Sequence, residues 1–173
     1  MPEQFYHSPP AYDLEKLPVI ETSLTGHQQN RLVILIKSCG LRDHVLKRIN
    51  APPKTQKDIR VRSFLLHLLA REFPGGDLFE ALKESLESRD ESVYGWACSD
   101  LNTLIQKGFV AQLDLEQLRC FQRLLSDDSY RRLEGSAFAD AAFLGENEFS
   151  QSRASALQAI SERIRILEES DGQ

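Results

Sequence analysis

The side chains of this chain best suited to chemistry are four histidines, His7, His27, His44 and His67, and three cysteines, Cys39, Cys98 and Cys120. Nucleophilic catalysis needs a serine or cysteine, a histidine to take its proton, and an acid to orient that histidine. Asp43 and His44 are adjacent, and neighbours in sequence do not face each other on a helix. No Gly-x-Ser-x-Gly turn is present to lift a serine into reach. The cysteines are odd in number, widely spaced and free of any Cys-x-x-Cys pair. They form no disulfide framework, and each reads as a small buried apolar residue. Metal chemistry has no His-Glu-x-x-His, no His-x-x-x-His and no EF-hand loop to work with. Asp127-Asp128 reads as a helix start. Phe73-Pro74-Gly75-Gly76-Asp77 lacks the lysine and the preceding strand of a phosphate loop, so it reads as a turn. Glu168-Glu169 sit near the chain's end, away from any partner for acid–base work. The sequence thus assigns no catalytic, cofactor-binding or metal-ligating residue, and the expectation is a protein that is not an enzyme.

Charge is the one property distributed in a way that suggests a site. The chain carries −5 overall, yet residues 31–71 carry +8, residues 1–30 carry −3 and residues 72–173 carry −10. Such a block either matches acidic groups inside the fold or meets an anionic partner. Lys57, Arg60, His67 and Arg71 recur at offsets of three, seven and four, which places them on one face of a helix. With Arg62 nearby, these five form the expected face for an anionic partner. Phosphate contacts by lysine and arginine would supply nucleic-acid affinity. Against that, only Phe64 interleaves the block as an aromatic, Pro52-Pro53 is unlike the tight turn of a helix-turn-helix, and the chain's pI is near 5.4.

The elements that must position these residues are helical throughout. Residues 1–23 read as an extended arm, because Pro9-Pro10 and Pro18 forbid a continuous helix. Thr25 with Gln28 has the spacing of a capping box for a helix reaching about Ser38, with Leu32, Leu35, Ile36 and Cys39 inward and Gly40 as its stop. Leu41 to Ile49 form a short second helix burying Leu41, Val45, Leu46 and Ile49, closed by Pro52-Pro53. A third spans Thr55 to Phe73 on a stripe of Val61, Phe64, Leu65, Leu68 and Leu69. Asp77 with Glu80 should cap a fourth, lined by Leu78, Phe79, Leu82 and Leu86. A fifth runs from Ser92 to Lys107 through Val93, Trp96, Ala97, Leu101, Leu104 and Ile105, and Gly108 ends it. Asp114 with Gln117 starts a sixth bearing Leu115, Leu118, Phe121 and Leu125. Ser126-Asp127-Asp128 starts a seventh that closes at Gly145. The last and longest, about Glu148 to Glu169, carries Leu157, Ile160, Ile164 and Leu167 at spacings of three, four and three. That seam lasts under two heptads, too short for a coiled coil, so it should pack on the chain's own core. A monomer is expected over a homodimer.

Residues 24–88 resemble the small helical effector-associated domains of bacterial conflict systems, which are death-fold-like adaptors. The resemblance rests on Arg31-Leu32-Val33-Ile34-Leu35, Leu41-Arg42-Asp43-His44-Val45-Leu46, Phe64-Leu65-Leu66-His67-Leu68-Leu69-Ala70-Arg71 and Gly76-Asp77-Leu78-Phe79-Glu80-Ala81-Leu82. It is a match of helix spacing and apolar pattern over about a third of the chain, and residues 89–173 depart from it. It implies an adaptor that joins a sensor to an effector.

The chain's 173 residues, 41% apolar, are enough to bury a core without metals or disulfides. The sequence therefore predicts an all-α, compact bundle of seven to eight helices with an extended N-terminal arm and a long C-terminal helix. The basic subdomain 24–88 and the acidic subdomain 89–173 form one continuous unit. No stretch approaches the ~20 apolar residues of a membrane span, and the first residues lack the basic and apolar regions of a signal peptide. A cytoplasmic interaction or adaptor protein with a protein partner is expected. Nucleic acid at residues 31–71 is the alternative, and no membrane role is expected.

Overall fold

The structure is a computed structural model that describes residues 26–126 and 146–171. The arm at 1–23, the proposed cap at Thr25 and the helix expected between Ser126 and Gly145 lie outside the described residues. What is described is all-α: seven helices and no strand among the described residues. They are α1 (Gly26–Ser38), α2 (Arg42–Asn50), α3 (Gln56–Glu72), α4 (Phe79–Leu86), α5 (Glu91–Gln106), α6 (Leu115–Ser126) and α7 (Glu146–Asp171). Two short 3-10 segments, Gly76–Leu78 and Phe109–Gln112, lead into α4 and towards α6.

Helix α5 is the axis of the fold. It packs on α3, α4 and α7, while α6 lies along α7 and α2 along α3. Its inward face is Val93, Tyr94, Ala97, Cys98, Leu101 and Leu104, all buried. Around it gather Leu65, Leu68 and Leu69 of α3, Leu82 and Leu86 of α4, and Leu118, Phe121 and Leu125 of α6. Phe121 stacks obliquely on Phe79 with ring centres 4.9 Å apart, which ties α6 to α4. Burial of such side chains, at roughly 1.5–3 kcal/mol each, is the dominant favourable term in holding helices together.

Local signals set the helix ends. Thr55 Oγ1 accepts from the Asp58 backbone N–H at 3.1 Å, and the Asp58 carboxylate accepts from the Thr55 N–H at 3.0 Å, a complete capping box. Asp114 and Gln117 form the same reciprocal pair at the head of α6, at 2.8 and 3.1 Å, as the sequence predicts. Gly40 and Gly108 take positive φ, +62° and +83°, where α1 and α5 stop.

Four expectations need correction. Asp77 does not cap α4: the N-cap position is Leu78, which makes no side-chain cap bond. The Asp77 carboxylate instead takes two hydrogen bonds from the Arg42 guanidinium, both 2.7 Å. A bidentate charge-assisted pair is stronger than a cap to neutral amides. Helix α1 presents Val33 and Ile36 to the core and leaves Leu32 and Leu35 half-buried, so its inward face is rotated by about one residue from the expected stripe. Cys39, past the last turn of α1, is exposed and Cys120 is half-buried; Cys98 alone of the three is buried. Trp96, expected in the core, is 36% exposed. The inward face of α5 is filled by Tyr94 and smaller residues, and the indole sits at its margin.

The seam on α7 packs inward. Ala156, Ile160 and Ile164 are buried and belong to the common core, with Leu157 and Leu167 packed against it. Polar contacts fix the register: Arg153 Nε donates to the Leu125 carbonyl at the end of α6 (2.7 Å), Gln122 to Ser161 Oγ (3.0 Å), and Arg119 pairs with Glu168 (2.7 Å). On the outer face Arg165 bridges Glu162 and Glu169, one turn to either side.

Candidate functional site: a groove between α3 and α5

Helix α3 carries all five residues of the expected anionic face, and the structure divides them. Lys57 and Arg60 are exposed. Arg62 is buried, 7% exposed, and its guanidinium pairs with Glu84 of α4. Arg71 is half-buried, pairs with Glu72 at 2.9 Å and reaches Gln29 of α1. His67 is half-buried against Asp100 of α5. Outside α3, Arg42 is taken up by Asp77 and Arg48 by Asp58. Arg42, Arg62 and Arg71 of the basic block are thus paired with carboxylates from the acidic remainder of the chain, and Arg48 with Asp58 of the block itself. Arg60 makes no hydrogen bond or ion pair among the described residues.

Geometry gathers a different set around His67. Its Nδ1 and Asp100 Oδ1 lie 2.5 Å apart, within hydrogen-bond distance. Asp100 is 2% exposed, and its other oxygen, Oδ2, has no partner among the described residues. Burial pushes the Asp100 carboxyl above the usual range, because desolvation penalises the anion, while the bond to His67 and the charge of Arg71 pull it back. With Nδ1 engaged, Nε2 is the ring nitrogen left for a ligand. The Trp96 indole meets the imidazole edge-on, ring centres 4.9 Å apart and planes at 69°.

These two residues form one wall of a cavity of about 170 Å³, completed by Arg60, Ser63, Phe64, Asp90 and Val93. The Asp90 carboxylate is already engaged, accepting from Gln56 Nε2 at 2.9 Å and from the Val93 backbone N–H at 3.2 Å. A second cavity of about 210 Å³ adjoins it and shares Ser63 and Val93. Its apolar lining is Pro53 and Ile59, and the Arg62–Glu84 pair closes one side. The first hollow lies between α3 and the start of α5 and the second mainly between α3 and α4, with Ser63 and Val93 lining both as the saddle between them.

Sequence reasoning named Arg60 and His67 but missed Asp100, Trp96, Ser63 and Asp90 as parts of one site. One signal was available. Asp100 falls seven residues after Val93 and one before Leu101, within the apolar stripe of α5. A carboxylate in a buried stripe demands a partner. Which partner could not be read, because His67 lies thirty-three residues away and only the packing of α3 on α5 brings it near.

No group of histidine, cysteine and acidic residues among the described residues is arranged to hold a metal ion, and no described helix is long and apolar enough to cross a membrane. No known protein family, curated protein or solved structure matches the chain.

Proposed function

We propose that this chain is a non-enzymatic helical interaction protein that docks a protein partner along the groove between α3 and α5. The observation that carries the reading is the pair of adjoining hollows with a shared saddle, flanked by a half-exposed tryptophan and a bare arginine. Two hollows in series suit neighbouring side chains of one polypeptide segment better than a single compact ligand. Tryptophan and arginine are also the residues that protein interfaces concentrate at their energetic centres. The helix spacing over residues 24–88, similar to effector-associated adaptor domains, supports the same reading and suggests a cytoplasmic role in bacterial defence or regulation. Likeness at the level of fold is a thin warrant for function, so the groove carries the weight.

The test is affinity capture with the wild-type chain and with Ser63→Arg, which fills the saddle, after circular dichroism has shown equal melting of both. A protein retained by the wild type and lost by Ser63→Arg supports the proposal. Equal capture by both, or capture by neither, overturns it. The nucleic-acid reading is examined by titration with DNA and RNA at two salt concentrations. Binding that falls steeply with salt would move the function to the basic block.

A further inference from the structure

The docking reading leaves open what the groove recognises, and the hollow between α3 and the start of α5 narrows the choice. It measures about 170 Å³, and roughly 150 Å³ is enough to hold one benzene ring. Phe64, Val93 and Trp96 give it apolar walls. Two of its lining residues, Arg60 and Asp90, carry opposite charges. The bonds from Gln56 and the Val93 amide hold the Asp90 carboxylate in place without cancelling its charge. A charged side chain entering here would meet one attraction and one repulsion while losing its water, so the charge balance favours a neutral occupant.

His67 sets a second requirement. Its Nδ1 lies 2.5 Å from Asp100 Oδ1, which leaves Nε2 for a ligand. Nε2 donates when it carries a proton and accepts when it does not. A hydroxyl answers either form, because it is both donor and acceptor, whereas a carboxylate or an ammonium answers only one.

Resting on the docking reading, we infer that the groove recognises a tyrosine of the protein partner. The phenol ring fills the hollow against Phe64, Val93 and Trp96, and its hydroxyl bonds to Nε2 of His67. Trp96 is 36% exposed, and covering it with a second ring adds apolar burial and the attraction of an aromatic pair. Asp100 does not touch the ligand; it is a positioning residue, fixing the imidazole through Nδ1.

The experiment uses an array of short synthetic peptides in which one position varies among Tyr, Phe, Leu, Glu and Lys. The array is probed with the fluorescently labelled full-length chain. Tyr peptides should bind best. Tyr→Phe in the peptide should weaken binding about threefold to tenfold, the loss expected for one neutral hydrogen bond, and Glu and Lys peptides should bind less than Phe. Trp96 is the chain's one tryptophan, so a bound Tyr peptide should move the emission of the unlabelled chain to shorter wavelength, and Ser63→Arg should abolish that shift. Two substitutions test the charge balance. Asp90→Asn removes the counter-charge of Arg60, keeps an acceptor for the Val93 amide, and should strengthen binding of Glu peptides. Arg60→Ala, at an exposed position, should strengthen binding of Lys peptides. His67→Leu should erase the preference for Tyr over Phe. Asp100→Asn should shrink that preference while leaving the preference for Phe over Leu, which a merely structural role would not do, and it serves where His67→Leu fails to fold. Equal binding of Tyr and Phe peptides, binding of Glu or Lys peptides as tight as that of Tyr, or no peptide bound at all overturns the inference. If the array shows no Tyr preference but Ser63→Arg still abolishes capture of a partner, docking stands and only the tyrosine recognition fails. If both fail, the groove is not the binding site.

Discussion

Replacing Ile160 with alanine isolates the packing of α7 on the rest of the fold. Ile160 is fully buried in the common core, midway along the part of α7 that lies against α5 and α6. The change removes three carbons, each worth roughly 0.8 kcal/mol of transfer free energy. The cavity left behind adds to that, because rigid helices on either side collapse only partly. The expected cost is about 3–4 kcal/mol, measured by urea denaturation with the slope unchanged. Ile166→Ala is the internal control: that side chain is 40% exposed, so its removal should cost about 0.5 kcal/mol or less. Both variants and the wild type should have the same molar mass by light scattering and melting points independent of concentration. Two results would refute the reasoning. A cost below about 1 kcal/mol for Ile160→Ala would mean that the seam is not core. A wild-type melting point that rises with concentration, and ceases to do so in Ile160→Ala, would mean that the seam packs against a second copy.

Two further outcomes follow from the local geometry. Arg42 holds the Asp77 carboxyl below the ordinary carboxylate range, chiefly by the paired hydrogen bonds, so the folded state binds that proton less tightly than the unfolded chain does. Its contribution is present above the unfolded value of about 3.9 and is lost as the pH falls through the depressed folded value. Asp77→Asn should therefore cost about 0.5–1 kcal/mol near neutrality, kept small by partial exposure, and progressively less as the pH falls below the unfolded value, as read from denaturation across a pH series. Thr55→Ala breaks the capping box at the head of α3 and should cost about 1 kcal/mol. An unchanged melting curve would show that another group takes over the Asp58 amide.

Much of this architecture was legible because its signals are local. A glycine in the left-handed region, a proline pair or an Asp-x-x-Gln box acts within a turn of its own position, so Gly40, Gly108, Pro52-Pro53 and Asp114 marked their boundaries well. Inward faces were legible where large aliphatic residues recur at helical spacing, as in Leu65, Leu68 and Leu69. The failures came where a distant residue outbid a local preference. Asp77 has the sequence of a cap, but Arg42, thirty-five residues earlier, takes its carboxylate. Arg62 has the sequence of a surface cation, but it is buried, and its guanidinium pairs with Glu84, which itself stays exposed. The groove was illegible for the same reason. Periodicity put His67 on a basic face and Trp96 in the core, whereas the packing of α3 on α5 set both at the rim of one hollow beside Asp100.

The turn after α3 shows what such long-range partnerships mean for a chain as it is made. Its exposed backbone groups are met by side chains from well outside it: the Phe73 carbonyl by Arg42, the Arg71 carbonyl by Lys107, the Gly76 amide by Gln112. A Cβ on Gly75 would lie 2.7 Å from Asp77 Oδ1 and 2.8 Å from the Arg42 guanidinium, so glycine is what lets the pair close over the turn. Lys107 and Gln112 lie downstream of the turn in the sequence, so both must be made before these bonds can form. The end of α3 then keeps its carbonyls on water until α5 and the 3-10 segment beyond it have emerged and folded back. Amide exchange in the finished protein should carry the same imprint, with residues 71–76 opening together with the end of α5.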